Sequence, residues 1–213
     1  IKMTFGIIKE RKNPPDRRVV FSPQEIVNLK AQYPEAQVVV ESSDIRIFSD
    51  DEYTNLGIDV VADLSDCDVL FGVKEVPVDY LIPNKKYFFF SHTIKKQSYN
   101  RKLLQAIIAK NIDLYDHETI VDANNRRLIG FGRYAGIVGA YNAFRAFGLK
   151  YELFTLAKAE TLKGRDELIA RLKRQILPNI KIIITGHGKV GSGIKEILDS
   201  MKLKQVNVDD FIQ

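Results

Sequence analysis

Short apolar runs alternate along the chain with longer stretches whose apolar residues recur every three or four positions. Residues 2–9 hold Phe5, Gly6, Ile7 and Ile8 and predict a buried strand. A polar loop over residues 10–18 follows, broken by Pro14-Pro15. Ser22-Pro23-Gln24-Glu25 then announces a helix, with Ser22 at the N-cap, Pro23 at N1 and Glu25 at N3; Ile26, Val27 and Leu29 supply its apolar face. Val38-Val39-Val40 reads as a strand apolar on both sides, as in a parallel sheet covered on both faces. Residues 51–56 predict a helix ended by Gly57. Residues 60–61, 69–73, 86–90 and 112–115 predict strands, and residues 102–110 an amphipathic helix on Leu103, Leu104, Ile107 and Ile108. This alternation at βαβ spacing argues for a parallel α/β sheet.

Beyond it the pattern turns helical over residues 136–147, and again over 165–176, where Pro178 closes the helix. Residues 149–179 carry few apolar anchors and read as an inter-domain connector, and a fresh α/β unit starts at Lys181. The expected fold is therefore α/β: a parallel-sheet domain with helices on both faces over residues 1–148, a helical connector over 149–179, and the start of a second α/β domain over 180–213.

Composition narrows the classes. The chain has 213 residues, 45% hydrophobic and 28% charged, which suits a soluble globular protein and excludes disordered, collagen-like and coiled-coil readings. No apolar run approaches the roughly 20 residues of a membrane span, and no signal-peptide pattern precedes the first strand. The single Cys67 excludes a disulfide framework or thiolate metal cluster and points to a reducing, cytoplasmic setting. The net charge of +5 comes from 32 basic and 27 acidic residues mixed along the chain. Without a basic stripe, that excess fits a small anionic ligand better than a nucleic acid. Three scattered His residues without partners at ligand spacing give no metal site.

Four constellations carry candidate chemistry. Ile182-Ile183-Ile184-Thr185 precedes Gly186-His187-Gly188-Lys189-Val190-Gly191, and a helix at residues 194–198 follows. This is G-x-G-x-x-G between an apolar strand and a helix, the pattern that lets backbone approach a pyrophosphate at a helix N-terminus. Asp209 or Asp210, after a second strand at Val206-Asn207-Val208, would hold a ribose hydroxyl; NAD and NADP stay open. Lys74 ends an apolar strand before Glu75 and Pro77, where a lysine can trade protons, although by itself it reads more readily as a lysine reaching solvent. His92 ends Phe88-Phe89-Phe90-Ser91, where a histidine suits proton transfer near neutrality. On neighbouring parallel strands, Lys74 and His92 would point into one crevice. The fourth is the loop with Arg17 and Arg18, where a guanidinium would grip a substrate carboxylate. His117, between Asp116 and Glu118, reads as a salt-bridged surface turn; the stripe Gly136, Gly139, Ala140 and Ala143 reads as close helix packing.

The opening segment with Glu10, Lys12, Arg18 and Pro23, then Val73-Lys74-Glu75 and His92, resembles the alanine dehydrogenase, transhydrogenase N-terminal and lysine-forming saccharopine dehydrogenase superfamily. Phe89-Phe90-Ser91-His92-Thr93-Ile94-Lys95, Leu114-Tyr115-Asp116, Arg126-Arg127 and Gly130-Phe131-Gly132-Arg133-Tyr134-Ala135-Gly136 resemble the saccharopine dehydrogenase and lysine–ketoglutarate reductase branch. The loop before Arg18 is one residue longer than in typical alanine dehydrogenases, so the choice of Arg18 over Arg17 rests on the Val19 that follows it.

The resemblance implies a two-domain NAD(P)-linked enzyme that interconverts saccharopine with lysine and 2-oxoglutarate, with a Rossmann-like substrate domain over residues 1–148, the start of a Rossmann dinucleotide-binding domain over 180–213, and the active site expected in the cleft between the two. It implies Lys74 and His92 as the acid/base pair and Glu75 and Glu118 as their neighbours. It implies Arg18, Arg127 and Lys95 as carboxylate binders, and Gly186, Gly188, Lys189, Val190 and Gly191 as the cofactor contact. Its partners would be an amino-acid or oxo-acid substrate, not nucleic acid or membrane, and it is compatible with a homo-oligomer. A related alanine or imino-acid dehydrogenase, and a non-catalytic member of the fold, are the alternatives. Because the dinucleotide fold starts only near Lys181, the expectation is an N-terminal portion of a longer enzyme, inactive by itself.

Overall fold

The computed structural model describes residues 3–201 and 203–212. It divides into two compact units, Ile1–Gly130 and Phe131–Gln213.

The first unit is built on six parallel strands: β1 (Thr4–Ile7), β2 (Gln37–Glu41), β3 (Asp59–Val61), β4 (Val69–Phe71), β5 (Lys86–Phe89) and β6 (Asp113–Asp116). Their order is β3-β2-β1-β4-β5-β6. Helix α1 (Pro23–Gln32) starts as its sequence requires, with a reciprocal capping box: Ser22 Oγ accepts the Glu25 amide at 3.3 Å, and Glu25 Oε2 accepts the Ser22 amide at 2.7 Å. Helix α2 (Asp50–Thr54) has the same device at Ser49 and Glu52, and Gly57 follows in the left-handed region at φ 69°. Helix α3 (Arg101–Ala109) joins β5 to β6.

Alternation along the strands divides the core between the two faces of the sheet. Ile7, Val38 and Val40 pack with Ile26 of α1 and Tyr53 of α2; Leu70, Tyr87 and Phe89 pack with Leu103 and Ile107 of α3. Gly6 is required by the second packing: a Cβ there would lie 2.9 Å from Leu70 Cδ2 and 3.0 Å from Cys67 Sγ.

The chain leaves β1 toward β2 and β3, then returns on the other flank of β1 through β4. That reversal is a topological switch point, and open α/β sheets bind ligands outside the carboxyl ends of the strands there. Glu10 follows β1, Lys74 follows β4, His92 follows β5 and Glu118 follows β6, so one edge of the sheet carries all four.

The second unit is helical: α4 (Gly132–Lys150), α5 (Arg165–Lys173), α6 (Lys189–Ser200) and α7 (Val208–Ile212). Three expectations are corrected here. The division falls after Gly130 rather than after residue 148, because α4 packs against α6. The stretch 149–179 is not a bare connector: Leu156, Leu162, Leu168 and Leu172 are buried with Tyr141 and Ile197. The expected strands at 182–184 and 206–208 do not form among the described residues; Ile183 lies 69% exposed, and Val208 opens α7. An extended segment becomes a strand only beside a partner ladder, and none lies there. The small-residue stripe is half realised. Gly136 and Ala140 are buried, and a Cβ at Gly136 or at Gly193 would run into the backbone of the opposing helix; Gly139 and Ala143 face outward.

Candidate functional site

Backbone hydrogen bonds lace the carboxyl ends of β4, β5 and β6 beyond the strands themselves. The Gly72 amide donates to Phe88 O at 2.8 Å, Phe90 to Val73 O at 3.1 Å, and His117 to Phe89 O at 3.1 Å. From the β1 side, the buried Glu10 carboxylate accepts the amides of Val73 at 2.6 Å and Lys74 at 3.0 Å. Burial pushes the Glu10 carboxyl above its ordinary range, against the opposing pull of those two amides.

One connected array of side chains stands on this frame. His92 Nδ1 lies 2.9 Å from Glu118 Oε2 and 3.1 Å from Lys95 Nζ. Lys95 also reaches Glu118 Oε1 at 3.2 Å, and Arg127 approaches the same oxygen at 3.7 Å. On the other side of the ring, His92 Nε2 is 3.7 Å from Glu75 Oε1, while Glu75 Oε2 accepts from Lys12 at 2.9 Å. Glu75 Oε1 is buried without a hydrogen-bond partner among the described residues. The histidine and carboxylates form the floor, their side chains 18% (His92), 14% (Glu75) and 9% (Glu118) exposed; Lys12, Lys95 and Arg127, at 41%, 47% and 48%, form the rim. Burial alone would raise the Glu118 carboxyl, but its hydrogen bonds from His92 and Lys95 hold it below the usual range.

This geometry can move a proton. With a proton on Nδ1, His92 donates to Glu118; without it, the same nitrogen accepts from Lys95. The cationic rim suits an anionic ligand above the ring.

Five of the residues singled out in the sequence thus meet: Glu75, His92, Lys95, Glu118 and Arg127. Lys74 adjoins them through the backbone, and its charge helps lower the Asp16 carboxyl, whose burial is outweighed mainly by hydrogen bonds from Arg18. Arg18 pairs with Asp16 through Nε at 2.9 Å and NH2 at 2.5 Å, and its charge also faces Glu10. Sequence reading placed His117 on the surface, and the structure corrects this. The ring is 6% exposed, 5.1 Å from the Phe90 ring, with Nε2 3.2 Å from the Gly72 carbonyl. One more residue of ladder pairing past β6 carries it inward. Ser91 and Asp116, both buried, were not assigned roles; the polar residues of Ser91-x-Thr93 and Asp116-x-Glu118 were the available signal, since Ser and Asp two residues before an amide close local turns.

In the second unit, Gly186 is left-handed at φ 88°, and no atom stands where a Cβ would go at Gly186 or Gly188. A Cβ at Gly191 would strike the Gly186 carbonyl, and no side chain caps the first turn of α6. Gly186 and Gly188 ahead of α6 and Gly191 in its first turn fit the close approach of a phosphate group to a helix N-terminus.

Residues 6–138 match the family described as "Alanine dehydrogenase/PNT, N-terminal domain". The chain belongs to that family. It is 32% identical over 215 residues to an alpha-aminoadipic semialdehyde synthase of Arabidopsis thaliana, covering 90% of this chain and 20% of that protein. It is 28% identical over 194 residues to the saccharopine dehydrogenase [NAD(+), L-lysine-forming] of Yarrowia lipolytica, covering 81% of this chain and 51% of that one. The chain thus spans between a fifth and about half of these relatives. Among solved structures, an L-alanine dehydrogenase superposes with a TM-score of 0.61 at 20% identity, over 93% of this chain and 53% of that one. A transhydrogenase from Sinorhizobium meliloti gives 0.63 at 18%, over 92% and 54%. These likenesses show the fold. The Bos taurus relative is named mitochondrial, at 27% identity over 96% of this chain and 24% of that one, so the cytoplasmic expectation has no support from the family. Among the described residues no helix is long and apolar enough to cross a membrane.

Proposed function

We propose that this family member serves an NAD(P)-dependent oxidoreductase of amino-acid metabolism, of the lysine-forming saccharopine dehydrogenase kind, that interconverts saccharopine with lysine and 2-oxoglutarate. The observation that carries this reading is the array Glu75–His92–Glu118–Lys95 under a rim of Lys12 and Arg127, with Lys74 beside it. Making and hydrolysing an imine takes several proton transfers, which His92 and Lys74 supply as two bases of different type. Arg127, Lys95 and Arg18 bind substrate carboxylates, while Glu75 and Glu118 keep the ring oriented and offset the positive charge. Gly186, Gly188, Lys189, Val190 and Gly191 hold the pyrophosphate of NAD or NADP on the amides of α6. The nicotinamide, when bound, gives or takes the hydride.

A relative named for this chemistry, the lysine-forming saccharopine dehydrogenase of Yarrowia lipolytica, supports the reading. The match to the family described as alanine dehydrogenase/PNT, N-terminal domain, favours the second reading, a dehydrogenase of a simpler amino acid. The experiment is calorimetric titration of this chain with saccharopine, 2-oxoglutarate and pyruvate. It is paired with oxidation of NADH or NADPH by the longest polypeptide the gene encodes. Turnover with lysine plus 2-oxoglutarate is expected; turnover only with pyruvate and ammonia would replace the first reading by the second.

A further inference from the structure

His92 sits in the left-handed region, φ 56° and ψ 9°, although it is not a glycine. A side chain held there is strained and persists only where its surroundings over-determine it. The restraint is visible. Ser91, fully buried, accepts the Thr93 amide on its Oγ at 3.1 Å and meets Thr93 Oγ1 at 2.7 Å. That closes a side-chain turn over His92. On the neighbouring strand end, Asp116 Oδ1 accepts the Glu118 amide at 2.8 Å, closing a matching turn over His117. Asp116 is 6% exposed, and its other oxygen accepts the Ser91 hydroxyl in a short hydrogen bond.

We propose that Asp116 is the positioning residue of the site: one carboxylate fastens both turns, and so aims the His92 ring and the Glu118 carboxylate at each other. Each oxygen serves a different loop. Ser91 transmits the hold to His92, and the Glu118 amide receives it directly. The 2.9 Å contact of His92 Nδ1 with Glu118 Oε2 is then a product of two turns with a common anchor, not of the two side chains alone. Among the described residues the Asp116 carboxylate bonds Ser91 and the Glu118 amide, not the ring of His92. The proposal rests on the reading of His92 and Glu118 as the functional pair, and its test needs no turnover.

The test is a ¹³C NMR titration of the Glu118 carboxyl in the 213-residue chain, in Ser91→Ala and in Asp116→Asn, with thermal melting as the check on folding. Glu118 titrates low because His92 and Lys95 hold it against the pull of burial. Loosening either turn should carry its midpoint back up; in Asp116→Asn the lost negative charge pulls the other way, so the rise should be clearer in Ser91→Ala, which keeps that charge. If Asp116→Asn does not fold, Ser91→Ala decides. Folded variants whose Glu118 titrates as in the wild type would overturn the proposal and leave Asp116 a strand-end strut. Absence of lysine-dependent turnover in the wild-type enzyme would instead count against the proposed reaction and leave this titration to stand or fall by itself.

Discussion

The carboxylate of Glu10 holds the amide of Lys74 at 3.0 Å across 64 residues of chain, and that bond ties the end of β1 to the end of β4 at the switch point of the sheet. The second oxygen of Glu10 takes the Val73 amide, so both acceptors are committed to the turn that presents Lys74. Glu10→Ala strands two amides, one of them buried. A buried unsatisfied donor costs about 1–3 kcal/mol, so chemical denaturation should show a loss of about 2 kcal/mol or more. Glu10→Gln keeps one acceptor and should lose clearly less. Equal losses in the two variants would mean that Glu10 acts by filling space.

In the enzyme, Lys74→Met and His92→Gln should each lower lysine-dependent turnover by about 100-fold or more, the usual reach of general acid–base catalysis. Affinity for NADH or NADPH, measured by fluorescence titration, should hardly change, since the glycine loop belongs to the other unit. Wild-type turnover in either variant would remove that residue from the mechanism. Arg18→Ala should act mainly on KM for the carboxylate substrate; an unaltered KM would reject its assignment.

His117 gives a pH dependence whose sign follows from burial. Desolvation lowers its pKa below the ordinary value of 6.5, although its contact with the Gly72 carbonyl and the nearby Asp116 charge pull the other way. The unfolded chain therefore takes up this proton first as pH falls below about 6.5, and the folded chain follows only at lower pH. The stability that the neutral ring contributes is present above that value and drains away between it and the depressed folded pKa. Melting temperatures recorded from pH 8 to pH 5 should fall more steeply in the wild type than in His117→Leu; parallel curves would refute the assignment.

The contrast between His92 and His117 shows how far a sequence reaches into a site. His92 was legible because an apolar strand stops just before it, and a strand end is a place that topology alone assigns to ligands. Lys74 was legible for the same reason. His117 also follows a strand, by one residue, yet it turns inward, because whether a polar side chain is buried depends on what the neighbouring strands offer it. Here the Gly72 carbonyl and the Phe90 ring do so, and both lie far away in sequence. Glu10, Ser91 and Asp116 were opaque in the same way: their partners are amides and hydroxyls, which leave no mark in the pattern of residue types. The stretch 149–179 misled for a different reason. Leu156 and Leu162 stand outside its helices and Leu168 and Leu172 one turn apart on α5, so no single stripe marks them, but all four join Tyr141 and Phe144 of α4 in one buried cluster.

The glycines of α4 and α6 make two opposite predictions from one residue type. Gly193 meets the Arg133 carbonyl where its Cβ would be, and Gly136 meets the Val190 carbonyl. The two helices touch through their backbones, so an added methyl cannot be accommodated by turning a flexible side chain. Gly193→Ala and Gly136→Ala should each cost about 1–3 kcal/mol as overpacked sites, and the loss should grow with Val in place of Ala. Gly139 lies on the same helix with nothing within 4 Å of its Cβ position. There the only change is helix propensity, and Gly139→Ala should gain up to about 1 kcal/mol. Circular dichroism melts of the three alanine variants check all of this at once. If Gly193→Ala and Gly139→Ala shift the midpoint in the same direction, the close crossing of α4 and α6 is not what these glycines are for.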